Sequence, residues 1–222
     1  DIMTWDYTTI KTPDVIWSSP PCTQYSQART ISQITDFTEA DAMVAKTLEI
    51  TQFFEIKNPN LKWFIENPNT GKLKTRPIVQ DLPFCVLDYC QYGAPYRKRT
   101  RIWNNVGFIP RNLCNFDCAA PKHLNRHFFS AQRGPTVHLD GKRSKGFRLD
   151  QLHALPEELC QDIFFFFFNL SGTAVILEPW DELLELEAIS ETQHCTLLSS
   201  HSIIGPPPVI VDTNFEIKVP IY

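Results

Sequence analysis

Two short apolar, β-branched runs, Asp14-Val15-Ile16-Trp17-Ser18 and Lys62-Trp63-Phe64-Ile65, flank a longer stretch with helical spacing. No other pattern constrains the fold as strongly. Between the runs, Val44, Leu48 and Phe54 or Ile56 recur at helical intervals, with Thr38-x-x-Asp41 ahead of them and Asn58-Pro59 behind. These are start and stop signals of a helix. Strand, helix, strand in this order predicts a parallel α/β unit, because a parallel pair needs a long crossover. Both runs end on polar, turn-forming residues: Ser19-Pro20-Pro21-Cys22 after the first and Glu66-Asn67-Pro68 after the second. Ligands of such units gather at the carboxyl edge of the strands. Cys22 and Glu66 are therefore the first candidates for chemistry.

The remainder divides by composition. Val86 to Tyr89 and Thr100 to Trp103 read as two further strands about the Gly93-Ala94-Pro95 turn, able to pair as a hairpin. Residues 110–145 are rich in Asn, Cys, His, Gly and Arg and show no period, so they read as loop or as a small irregular unit. Pro156-Glu157-Glu158 opens a short helix through Leu159, Cys160 and Ile163. Five phenylalanines, 164–168, follow; they have no amphipathic face and fit a buried strand. Beyond them, residues 180–189 resemble an acidic helix, and Gly205-Pro206-Pro207-Pro208 a linker before a last strand at 209–212. Residues 1–163 hold 20 Lys and Arg against 17 Asp and Glu, whereas 169–222 hold Lys218 against eight acids. A mildly basic body carrying Arg97, Lys98, Arg99 and Arg101 suits nucleic-acid phosphates, which would repel the tail. The same cluster also fits a solvated loop. The absence of an apolar run of about 18 residues argues against a membrane span. Seven irregularly spaced cysteines suggest reduced thiols, and an intracellular protein, bacterial-cytoplasmic or nuclear.

A thiol and a carboxyl group after adjacent strands suit one reaction well. Carbon 5 of cytosine is a poor nucleophile until a thiolate adds to carbon 6, and a carboxyl group must then hold the ring edge as charge develops. Trp17-Ser18-Ser19-Pro20-Pro21-Cys22-Thr23-Gln24-Tyr25-Ser26 resembles the nucleophile loop of the DNA cytosine-5 methyltransferases. Phe64-Ile65-Glu66-Asn67-Pro68 resembles that family's Glu-Asn-Val motif. Tyr92-Gly93-Ala94-Pro95-Tyr96-Arg97-Lys98-Arg99-Thr100-Arg101-Ile102-Trp103 resembles its Tyr-Gly-x-Pro-Gln-x-Arg-x-Arg segment, and the order is the same. The style is that of phage and viral members, including those of restriction-modification systems. Pro68 stands where the family has Val, and Tyr96 or Arg97 where it has Gln, in a loop one residue longer.

The resemblance implies an α/β fold, with a partial Rossmann-like methyltransferase sheet and a small irregular target-recognition region. It implies residues 1–109 as the catalytic part, 110–163 as the recognition region with its closing helix, and 164–222 as an acidic tail of unassigned role. Cys22 would be the nucleophile, Glu66 the acid, and Arg99 and Arg101 would hold the base or its phosphate. The partner would be double-stranded DNA, and S-adenosyl-L-methionine the methyl donor. Asp1-Ile2 matches the pair that often precedes the nucleophile strand; with Pro20 and Pro21 it is the expected cofactor-binding set. The eight glycines include no Gly-x-Gly, so the family's cofactor loop is not among these residues, and this chain alone is expected not to methylate DNA. A truncated relative that binds DNA or a partner without catalysis is the alternative. A thiol enzyme acting on free pyrimidine nucleotides fits the arginine motif less well. Cys114, Cys118, His123 and His127 supply the number and kind of ligands for tetrahedral zinc; core cysteines with surface histidines are the other reading.

Overall fold

A computed structural model describes residues 1–26 and 36–170, with side chains through 167. The acidic helix at 180–189, the linker and the last strand expected from the sequence lie outside the described residues. Four strands form the main sheet: β1 Val15–Ser18, β2 Lys62–Pro68, β3 Phe84–Asp88 and β5 Arg99–Asn104, in the order β1-β2-β5-β3. The two-residue strand β4, Tyr96–Arg97, lies between β3 and β5 in sequence. β1 and β2 are parallel, with Trp17 opposite Phe64, and are joined through helix α1, Thr38–Lys57. That is the expected unit. β5 runs antiparallel to both β2 and β3, so the expected pairing of the last two strands also forms.

The sheet is covered on both faces, which explains why β2 is apolar without alternation. Trp63 and Ile65 of β2 and Trp103 of β5 pack with Ala40 and Val44 of α1 and with Val79 of the short helix α2, Pro77–Gln80. Phe64 and Ile102 point the other way, against Leu159 and Ile163 of α4, Glu157–Leu170. In α1 the buried stripe is Ala40, Val44, Thr47, Ile50, Thr51 and Phe54, while Ile56 is exposed. The buried Thr47 and Thr51 hydroxyls donate to the carbonyls of Met43 and Thr47, at 3.0 and 2.9 Å, so their burial leaves no donor unpaired. Thr38 does not cap α1. It is the first helical residue, and Asp36 accepts both its amide and its hydroxyl hydrogen.

The five phenylalanines are not a strand. They continue α4, whose Leu159, Ile163, Phe166 and Phe167 fall on one helical stripe against Phe64 and Phe108, whereas Phe165 is exposed. A run that is apolar all round tells period 2 from period 3.6 only through its neighbours, and Pro156 with two acids had already set the helix in motion.

Between β5 and α4 the chain forms β6 Lys122–His123, β7 Arg126–His127, β8 Phe129–Ser130, β9 Thr136–Val137, β10 Arg143–Ser144 and the short helix α3 Leu149–His153. β6 pairs with β7, β9 with β10, and β8 with β4 of the Tyr-Gly-Ala-Pro segment. Among the described residues no helix is long and apolar enough to cross a membrane.

Candidate active site

Cys22 sits in the turn that follows β1, and five contacts hold that turn. The Asn67 side chain donates to the carbonyl of Pro20 at 2.9 Å, which ties the nucleophile loop to the end of β2. Tyr25 closes the turn by donating its amide to the Cys22 carbonyl, and its own carbonyl accepts from Lys72. The Tyr25 ring is buried, stacks on Phe37 and donates its hydroxyl to Asp41 at 2.7 Å; Asp41 in turn is gripped by Arg76. The backbone around the thiol is thus fixed by Asn67 of β2, Asp41 of α1, and Phe37 and Arg76 just ahead of α1 and α2.

Glu66 is buried on the α4 face of β2. Tyr89 donates its hydroxyl to Glu66 Oε1 at 3.0 Å, and Lys98 Nζ lies 3.3 Å from the same oxygen. Lys98 also donates to the Leu152 carbonyl and sits over the Tyr89 ring. Burial pushes the Cys22 thiol above its ordinary value; the charge of Glu66 pushes it further, and that of Lys98 pulls it back. Cys22, Glu66, Lys98 and Tyr89 therefore form one electrostatic group. Lys98 and Tyr89 were not singled out from sequence. Lys98 was one of four clustered cations, and only its position just ahead of β5 turns it toward the carboxylate.

The other expected residues are distributed less simply. Arg99 is held by the fully buried Asp88 through bonds of 3.0 and 2.7 Å. Arg101 donates to Asn69 at 3.1 Å and lies 3.7 Å from the Phe84 ring centroid. Neither arginine contacts Glu66 among these bonds. Gly93 adopts φ 84°, the left-handed conformation that ends the short turn Tyr89–Tyr92, so the Gly of that segment has a backbone reason. Tyr96, where the family has Gln, donates its hydroxyl to the Gln151 carbonyl. Pro20 and Pro21 adjoin Cys22, but Ile2 packs on Ile50, Phe54 and Leu61, where β2 begins. Asp1 and Ile2 are thus at the opposite end of β2 from Pro20 and Pro21, and the structure does not bring the expected cofactor set together. Cys114, Cys118 and His127 do converge, yet their fourth neighbour is Cys90, whereas His123 bonds Asp140 at 2.8 Å.

A thiol after one strand and a buried carboxylate on its neighbour, in a mixed α/β sheet, are groups of the kind nucleophilic catalysis uses. The comparisons point the same way. The chain is 34% identical over 127 residues to a protein of Frog virus 3 (isolate Goorha) named a probable DNA (cytosine-5)-methyltransferase. The match covers 50% of this chain, and the chain spans 56% of that protein's length. This likeness supports the resemblance to the cytosine-5 methyltransferases that the motifs carry. No family model matches the chain.

Proposed function

We propose that this chain carries the base-activating half of a DNA cytosine-5 methyltransferase, with Cys22 as nucleophile and Glu66 as the group that holds the ring edge. The carrying observation is the placement of Cys22 in the turn after β1 and of Glu66 within the neighbouring β2, which extends past it to Pro68, with Asn67 of β2 bonded to the Pro20 carbonyl and Lys98 acting on both groups. The cytosine is flipped out of the duplex. The Cys22 thiolate forms a bond to carbon 6, and the ring electrons displaced toward nitrogen 3 make carbon 5 nucleophilic. Tyr89 and Lys98 both address Oε1 of Glu66, which leaves Oε2, carrying the carboxyl proton, to donate to nitrogen 3 as charge develops there and to accept from the exocyclic amine. After methylation, water takes the carbon 5 proton, the carbon 6–sulfur bond breaks to release the thiolate, and the nitrogen 3 proton returns to Glu66, which restores the aromatic ring.

S-adenosyl-L-methionine supplies the methyl group in this reading. Pro20 and Pro21 would wall its sulfonium beside the base, but the described residues offer no glycine-rich turn for its adenosyl part. The sheet order fits a partial Rossmann-like fold, residues 1–109 the catalytic part and 110–163 the DNA-reading region.

The test is a covalent trap that needs no methyl donor. Duplex DNA carrying 2-pyrimidinone in place of the target cytosine accepts a thiolate at carbon 6. It should give a denaturation-resistant adduct with the wild-type chain and none with Cys22→Ser. An adduct persisting in Cys22→Ser, or none in the wild type, removes Cys22 from this role.

A further inference from the structure

We infer that Cys90, Cys114, Cys118 and His127 form a tetrahedral zinc site that fastens residues 110–145 to the catalytic sheet. The ligand atoms of these four residues all lie within 4.8 Å of one another. His127 Nε2 is 3.2 Å from Cys118 Sγ and 3.6 Å from Cys114 Sγ. With Zn–S near 2.3 Å and Zn–N near 2.0–2.1 Å, the edges of a tetrahedral site are roughly 3.5–3.8 Å, so the 3.6 Å gap fits, the 3.2 Å gap is slightly short, and the remaining spread, up to 4.8 Å, would close with small side-chain shifts. Three thiolates and one imidazole are a known closed, structural ligand set for this metal.

The surroundings are built for it. Phe116 holds φ 63°, a conformation unfavourable for a bulky residue, and in doing so donates its amide to Cys114 Sγ at 3.3 Å. Cys114 donates its own amide to Asp88 at 3.0 Å. Asp117 accepts from the Asn115 amide and from Gln91, so the turn between Cys114 and Cys118 is tied to the segment that carries Cys90. Lys122 donates to the Cys118 carbonyl. The only other member of this buried cluster is Ala120, and Leu113, Leu124, Val137 and Leu139 nearby in sequence are exposed. Three thiols are thus packed where a small domain would need apolar bulk or a metal.

The alternation of a β-ribbon explains why Cys90 completes the set in place of His123. In the β6–β7 hairpin, turned by Leu124 and Asn125 at φ 48° and 57°, Lys122 pairs with His127 and His123 with Arg126. Cross-strand partners share a face and successive residues do not, so His123 and His127 face opposite ways. His123 is instead bonded to Asp140 and packed edge-on against His138.

Because Cys90 follows β3 directly, the metal would link the recognition region to the sheet. Elemental analysis of the full chain purified without chelator should find about one zinc per molecule. Cys90→Ser and His127→Ala should lose it, and His123→Ala should keep it. Cobalt(II) exchanged into the wild type reads the ligand set without a variant, since the thiolate-to-cobalt charge-transfer intensity scales with the number of sulfurs. Three thiolates are expected. A two-thiolate spectrum, a zinc content unchanged in Cys90→Ser, or a disulfide among the three cysteines in a metal-free chain overturns the inference.

Discussion

Cys22 begins as a weak nucleophile, because burial and the Glu66 charge both disfavour its thiolate, opposed by the Lys98 charge and a backbone hydrogen bond. The balance predicts opposite effects from two substitutions that leave the loop contacts intact. Glu66→Gln removes the negative charge, lowers the thiol's pKa and speeds iodoacetamide alkylation of Cys22 at pH 8. Lys98→Met removes the compensating cation and slows it. Each change should stay within about tenfold, the effect of one pKa unit. In the wild type the alkylation rate should keep climbing with pH beyond the range where an ordinary thiol levels off. Equal rates in all three proteins, read by mass of the Cys22 peptide, would mean that the charges do not reach the sulfur. A backbone effect belongs to the same scale. Gly93→Ala should cost about 1–2 kcal/mol in urea denaturation, because φ 84° is unfavourable for any residue with a Cβ.

At the level of elements, α4 gives the sharpest prediction, since a strand and a helix present the phenylalanine run differently. In a strand Phe165 and Phe167 would share a face, whereas in the helix Phe167 packs 5.5 Å from the Phe64 ring and Phe165 is exposed. Phe167→Ala should therefore cost about 1.5–3 kcal/mol of unfolding free energy and Phe165→Ala less than about 0.5. Leu159→Ala, at a fully buried position, should cost about 2–5 kcal/mol. Equal losses at 165 and 167 would restore the strand. This run was illegible in sequence because uniform apolarity carries no period. The elements that were legible had contrast: β1 is followed by Pro20, Pro21 and Cys22, β2 closes on Glu66, Asn67 and Pro68, and α1 has a separable buried stripe. The metal ligands were half legible. Cys114, Cys118 and His127 stood out by spacing, but Cys90 is contributed by another element, and the pleat that turns His123 away is a property of a pairing the spacing does not reveal.

Over the whole molecule, charge decides how such a chain would meet DNA. Residues 110–148 carry eight Lys and Arg against Asp117 and Asp140. Several of these cations are engaged: Arg111 pairs with Glu158 and Asp162, Arg148 with Asp150, and Lys142 lies beside Asp140. Arg126, Arg133, Arg143 and Lys145 are exposed and enter no salt bridge among the described residues, and Arg133, Lys145 and Arg148 line one open recess. Uncommitted surface cations gain most from phosphate, because binding releases the counterions condensed on the duplex. Lys98, which is committed to Glu66, should contribute nothing to that release. The affinity for duplex DNA should therefore fall linearly on a log–log plot against salt, with a slope of about 0.9 per phosphate contact. Arg126→Ala, Arg133→Ala and Arg143→Ala should each lower that slope by about one, weaken binding to all sequences alike, and leave the alkylation rate of Cys22 unchanged. Lys98→Met should change the alkylation rate and leave the slope alone. Fluorescence anisotropy across a salt series separates the two. A slope untouched by all three arginine substitutions would move the DNA contact away from residues 110–148, and with it the assignment of that region as the part that reads the target.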